Sequence, residues 1–451
     1  MPASPKPPSR FAPRCTFPYL HGTVLAVNAI PDVALVVDAP SCNFFRAEAV
    51  FGRHDTRSTL LDTSSRHRVA VTDLHPDRLV SGTDRRVSAL LRRLASDPAF
   101  GLVFRAVSPP AALVGTDYEA AEAQAEAATA KPIVGLPDRA LVGDWLDGYE
   151  DVLVALAKRL PLPPARPDPD PGIAAIVGYR FERNEEDHLG NVRELRRLVE
   201  GLGLRVASVW LSGEGLGSLA RVAEAGLLLA LPGGRRAADE VAARTGATVV
   251  TCDLPFGPDA TRRFVEQVAA ASGRETQAAG FARSETAAWT RAARWVVTRR
   301  LVDSRWAISL PPDLARGACE IATTVGADVR FLSTWSARVP EESGRPPAED
   351  GFAWPVPPLA APRVRDAAAA LAPVIRDLDV VVSNTPFDEV VCHAGLRGKI
   401  VPFDVPGLPR VELGFPCTRH HALHDEPFLG WRGLLCLLSR IAEFLPERGG
   451  G

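Results

Sequence analysis

The stretch LVVDAPSCNFFRAEAV (Leu35–Val50) closes an apolar run with a proline, a serine and a single cysteine, Cys42. A thiol at the tip of a buried strand is either a small hydrophobe packed inside or a chemically active donor. A second group lies in CTRHHALHD, where Cys417, His420, His421 and His424 fall within eight residues. These are zinc-compatible ligand types, but the spacing fits no standard structural zinc pattern and no second cysteine pair stands nearby. A third stretch, GEGLGSLA (Gly213–Ala220), follows a strand and half-matches a dinucleotide fingerprint. It lacks the third glycine and an obvious acidic follower. The sequence contains no G-x-x-x-x-G-K-[ST] phosphate loop, no H-E-x-x-H and no nucleophile elbow, so no ATP site is recognisable.

The chain that must position these residues has 451 of them, 46% hydrophobic and 24% charged, with a net charge of −2. That is the profile of an ordinary globular protein, with no global field favouring nucleic acid or an anionic membrane. The bases are nearly all arginine, since only Lys6, Lys131, Lys158 and Lys399 are lysines. Seven scattered cysteines argue against a disulfide framework and for a reducing compartment. No secretory h-region and no membrane-length apolar run stands out, so a cytoplasmic location is expected.

Apolar strand-like runs alternate with amphipathic helical patterns, which predicts parallel sheets flanked by helices. Strands are expected at Val33–Val37, Arg68–Thr72, Leu102–Ala106 and Pro132–Gly135. The expected organisation is an α/β protein of three Rossmann-like domains. A Pro-rich tail occupies 1–14, a first domain 15–160, a Pro-rich linker 161–172 and a second domain 173–258. Connecting helices occupy 259–301 and a third domain 302–451, with a Pro/Glu-rich insertion around Pro340–Pro358.

Several pieces, in order, resemble the nitrogenase component 1 type superfamily, over about Cys15 to Leu445. That superfamily takes in nitrogenase molybdenum–iron protein subunits, their assembly scaffolds and dark-operative protochlorophyllide reductase-like subunits. CTFPYLHGTVLAVNAIPDVALVVDAPSC resembles its opening, with a cysteine, a Gly-led helix, an I-x-D turn, a strand and a second cysteine. VSPPAALVGTDYEA resembles its C-x-x-x-L-I-G-D-D segment, and VGYRFERNEEDHLGNVRELRRLVEGLGLRV its second-domain opening. LPFGPDATRRFV resembles its P-F-G-x-x-x-T turn, and the region from Asp377 through GFPCTRHHALHDEPFLGWRGLL its C-terminal G-F-P … H … P-x-x-G segment.

The resemblance implies an iron–sulfur cluster at the interface with a homologous component 1-type subunit, with Cys15 and Cys42 as this chain's metal-binding ligands. Thiolates suit that role because they are soft, strongly donating ligands for iron. It also implies a separate ATP-hydrolysing iron protein as electron donor, with neither nucleic acid nor membrane as partner. One departure stands out: where the family carries a third cysteine this chain reads VSPP, with Pro109, which cannot bind iron, at the matching position and Ser108, a poor substitute ligand, before it. There is also no cysteine near LLLALPGGRR, where cofactor-holding subunits carry their ligand. The chain thus resembles a β-type subunit of a nitrogenase-like reductase, with an assembly scaffold and a cluster-free structural subunit as alternatives.

The match sets His420, His421 and His424 on a loop facing the cavity between domains, where a histidine could pass a proton to a bound molecule; the alternative is a plain surface loop. His54, Asp55, Arg180 and Arg183 are open in the same way, the arginines as an anionic site or as solvated loop residues. Cys252, Cys319, Cys392 and Cys436 sit in apolar runs and are expected to serve packing.

Overall fold

The computed structural model describes residues 14–62, 66–75, 77, 82–164, 168–336, 352–384 and 408–447. The tail up to residue 13, parts of the linker and of the Pro/Glu-rich insertion, and Cys392 lie outside the described residues.

Three parallel sheets are present. The first contains β1 (Val33–Asp38), β2 (Val69–Val71), β3 (Leu102–Val107) and β4 (Ile133–Gly135) in the order β2-β1-β3-β4. The second contains β5 (Ile173–Val177), β6 (Arg205–Val209), β7 (Leu227–Ala230) and β8 (Thr248–Thr251) in the order β6-β5-β7-β8. The third contains β9 (Arg305–Leu310), β10 (Asp328–Thr334), β11 (Leu359–Ala360), β12 (Val380–Ser383) and β13 (Arg410–Glu412), in the order β11-β10-β9-β12-β13. The expected strands agree with β1 to β4 to within a residue at each end. Central strands such as VALVVD and LVFRAV are buried along their whole length, as helices covering both faces of a parallel sheet require.

The chain divides into two compact units. One comprises Phe17–Ala293 with His420–Leu437 and holds the first two sheets; the other comprises Met1–Thr16, Arg294–Arg419 and Leu438–Gly451 and holds the third. The stretch expected to be helical from Asp259 to Leu301 forms two helices, Pro258–Ser272 and Glu275–Val296. Gly273 separates them, with a φ of +66° that side-chain-bearing residues adopt only at a cost.

Within the larger unit, helix Trp145–Arg159 starts at a capping box. Asp144 accepts from the amides of Leu146 (2.9 Å) and Asp147 (3.3 Å), while the Asp147 carboxylate accepts the Asp144 amide at 2.8 Å. That helix crosses helix Tyr19–Asn28 through two glycines. A Cβ on Gly22 would stand 1.6 Å from the Trp145 carbonyl oxygen, and one on Gly148 would stand 2.0 Å from that of Tyr19. Backbone cannot yield as a flexible side chain can. Gly148→Ala is therefore expected to destabilise the protein by about 3 kcal/mol, at the upper end of overpacking costs. Chemical denaturation checks this, and an unchanged midpoint would show that the helices are free to separate.

Candidate functional site

The C-terminal ends of β1 and β3 meet at one point. The two strands are neighbours with Asp38 opposite Val107, and the amide of Ser108 donates to the Asp38 carbonyl at 2.9 Å. β2 lies on one side of β1 and β3 on the other, the arrangement that opens a ligand crevice beyond the strand ends. The buried Asp38 carboxylate organises this crest. It accepts hydroxyls from Thr72 (2.5 Å), Thr83 (2.7 Å) and Tyr118 (2.7 Å), tying together the segment after β2 and two helix starts. Burial, reinforced by Asp38, pushes the Tyr118 phenol well above its ordinary pKa, so it stays protonated and donating.

Beyond Pro40 the chain makes one turn of 3-10 helix, Ser41–Phe44, and Cys42 is exposed on it. The thiol is therefore presented just past the strand. Asn43 Nδ2 lies 4.0 Å from its sulfur, and Arg46 donates to Asn43 and, at 3.3 Å, to His21 Nδ1. Burial, assisted by Arg46, lowers the His21 pKa to about 3, which keeps the ring neutral and able to accept. Burial also lowers the Arg46 pKa.

The other matched thiol, Cys15, belongs to the second compact unit, where it is buried and its amide donates to the Pro362 carbonyl at 2.8 Å. Pro109 is half-buried in the turn after β3. Before it, Ser108 is buried and its hydroxyl oxygen has no hydrogen-bond partner. Cys42 and Ser108 thus follow the ends of neighbouring strands of the first sheet, whereas Cys15 belongs to the other unit.

The histidine loop is held elsewhere in the larger unit. Arg183 is 1% exposed; it pairs with Asp187, lies 3.3 Å from Glu185 and donates to the His420 carbonyl at 2.9 Å. It is not solvated. Glu185 accepts from His421 Nδ1 at 2.7 Å and from the Ala422 amide at 3.1 Å. His420 and His424 both reach Glu426, at 3.0 and 2.9 Å. Arg180 pairs with Glu182 at 2.7 Å and stacks over Trp145. His54 donates to the Glu182 carbonyl at 2.9 Å, and Asp55 accepts from Asn28 (2.8 Å) and from the amide of Asn184 (3.0 Å). His54, Asp55, Arg183, His420 and His421 therefore belong to one buried network, joined by Glu182, Glu185, Asp187 and His188.

The four zinc-compatible residues do not converge. Cys417 is buried in the other unit, and among the described residues no group of three or more metal-ligand side chains is arranged around an ion. The half-fingerprint is also accounted for: Asp32 takes the Leu216 amide at the start of the five-residue helix Leu216–Ala220, with both oxygens within 3.0 Å. Cys252 and Cys319 are buried, and burial pushes the Cys319 thiol up to about 12; Cys436 is half-buried.

A sequence profile of the nitrogenase component 1 type oxidoreductases matches residues 18–445, a span that takes in Cys42 and the three histidines but not Cys15. A solved structure of nitrogenase Cp1 at pH 6.5 superposes with a TM-score of 0.75 at 15% identity, covering 98% of this chain and 94% of that one. Nitrogenase Cp1 at pH 5 gives 0.71 at 12% identity, with 98% and 90% covered. At such identities the likeness is one of fold. No curated protein sequence matches significantly.

The buried network makes two predictions. Arg183→Leu leaves Asp187 and Glu185 as uncompensated buried carboxylates and is expected to cost about 3–5 kcal/mol, read by chemical denaturation. The second concerns pH. Burial, with Arg183 adding to it, lowers His54 to about 3; burial lowers His188 to about 4 against the pull of Asp187. With His21, three rings refuse protons that the unfolded chain binds below about pH 6.5. Stability is complete above that pH and is lost as pH falls toward 4. The slope approaches about 1.4 kcal/mol per pH unit for each histidine. His54→Gln should flatten the profile between pH 6 and 4.5 by close to one proton. An unchanged slope would mean that His54 is protonated in the fold.

Proposed function

Because the chain belongs to the nitrogenase component 1 type oxidoreductase family, we propose that it is a β-type-like subunit of a heteromeric nitrogenase-like reductase. Its partners are a homologous component 1-type subunit and a separate ATP-hydrolysing iron protein that delivers electrons. The observation that carries this reading is Cys42, an exposed thiol on a turn just past the strand ends at the switch point of the first sheet. Cys42 and Cys15 are this chain's ligands to an iron–sulfur cluster shared with the partner subunit. When bound, such a cluster supplies one-electron storage and transfer.

The chain's own residues prepare the place. Asp38 and its three hydroxyls fix the ends of β1 and β2, so the turn carrying Cys42 leaves a rigid edge. Neutral His21 and the Asn43 side chain hold Arg46 beside that turn, and its positive charge offsets the negative charge of thiolate ligands. The absence of a phosphate loop from the sequence agrees with ATP hydrolysis on the partner.

Pro109 favours a second reading, an assembly scaffold, because an incomplete ligand set releases a cluster more readily. The two are separated by what the loaded protein does with its iron. A reductase subunit keeps it when supplied with iron protein and MgATP; a scaffold passes it to an apo-acceptor. The primary test is the iron and acid-labile sulfide content of protein co-expressed anaerobically with its homologous partner. Iron is expected in the parent, with most of it lost in Cys42→Ala while the partner stays bound. A complex that forms without iron would leave a structural subunit, and absence of both iron and partner would end the proposal.

A further inference from the structure

Eight large hydrophobic side chains stand exposed among the described residues, and five of them leave one edge of the first sheet. β1, β3 and β4 are parallel neighbours, so their C-terminal ends lie along a single edge. Phe45 (71% exposed) and Phe51 (37%) follow β1, Leu113 (78%) follows β3, and Leu141 (62%) and Val142 (83%) follow β4. All five belong to the larger unit. Apolar side chains scattered singly over a surface need no explanation, but a concentration of them on one edge marks a surface that a partner covers. Two charges of opposite sign stand among them: Glu48 and Arg53 are both exposed on the helical segment that runs from Phe45 to His54.

We propose that this edge docks a second copy of the same chain, each copy offering the same patch about a two-fold axis. A surface that meets itself must be complementary to itself. The five apolar side chains meet that condition because apolar contact has neither direction nor sign. Glu48 and Arg53 meet it through their opposite signs. A two-fold axis passing between them sets Glu48 of each copy against Arg53 of the other, whereas a surface of one sign would repel its own image. The pairing is that of the chain by itself, before the homologous subunit proposed above takes the same edge, and it needs no cluster at Cys42.

The test is sedimentation equilibrium of the full chain expressed without a partner, as parent, Leu113→Asp, Val142→Asp, Glu48→Arg and the double exchange Glu48→Arg/Arg53→Glu. The parent is expected to be a dimer at micromolar concentration. Each aspartate is expected to raise the dissociation constant at least about tenfold, because it sets an unpaired charge into an apolar contact. Glu48→Arg is expected to weaken the dimer by about two- to tenfold, the scale of exposed charge pairs counted twice across a two-fold axis, and the double exchange to restore it. All four variants alter exposed side chains, so their far-UV circular dichroism should match the parent's; this separates dissociation from unfolding. A dimer that both aspartates leave at full strength would overturn the proposal. Failure of the double exchange to recover what Glu48→Arg loses would overturn the two-fold arrangement. A monomeric parent that still binds its homologous subunit would overturn the second copy and leave the proposed function standing.

Discussion

One buried guanidinium holds the larger unit together across its longest break in sequence. The chain leaves that unit after Ala293 and re-enters it at His420, and the returning segment has no strand of its own. It is held by hydrogen bonds to polar side chains of the second α/β layer. Arg183 takes the His420 carbonyl, Glu185 the Ala422 amide and the His421 ring, and Asn191 the amides of Phe428 (2.8 Å) and Leu429 (3.0 Å). The amide of Gly430 then reaches the Pro255 carbonyl at 2.7 Å. Arg183 can occupy an apolar interior only because Asp187 and Glu185 are buried beside it, and each acid is tolerable only because Arg183 is there.

Such a network trades stability for definition. Hydrophobic side chains of equal volume could fill the same space, but they would not fix which backbone amide docks where. The neighbouring neutral histidines follow from the same arrangement. His54 and His188 lie in a region already carrying the Arg183 charge, so burial and that charge together keep their rings unprotonated. The histidine loop is thereby given one geometry, with His421 turned to Glu185 and both His420 and His424 turned to Glu426.

The crest of the first sheet uses the same device on a smaller scale and with an opposite purpose. Asp38 gathers three hydroxyls inside, and the rigid edge so formed carries an exposed thiol on one strand end and an unused hydroxyl on the next. In the histidine network acids and bases engage one another, whereas at the crest the Cys42 thiol stands exposed.

The sequence by itself determined the α/β class, the positions of β1 to β4 and the placement of Cys42 at a strand tip. Those depend on local patterns: apolar runs of strand length and a proline after an edge. The family resemblance was legible for the same reason, since its motifs are turns and strand ends. The tertiary structure alone decided what lies inside FERNEEDHLGN. As a sequence it looks like the charged start of a solvated helix, yet Glu182, Arg183, Glu185 and Asp187 are all buried. The dense mixture of opposite charges beside Tyr179 was the only signal, and its partners lie more than two hundred residues away, at His420 to Leu429. Tertiary structure also assigned Cys15 and Cys42 to different compact units and left the Ser108 hydroxyl unpaired. Periodicity reports which face of an element is apolar. It does not report which charges will find a counter-charge and be drawn into the interior with it.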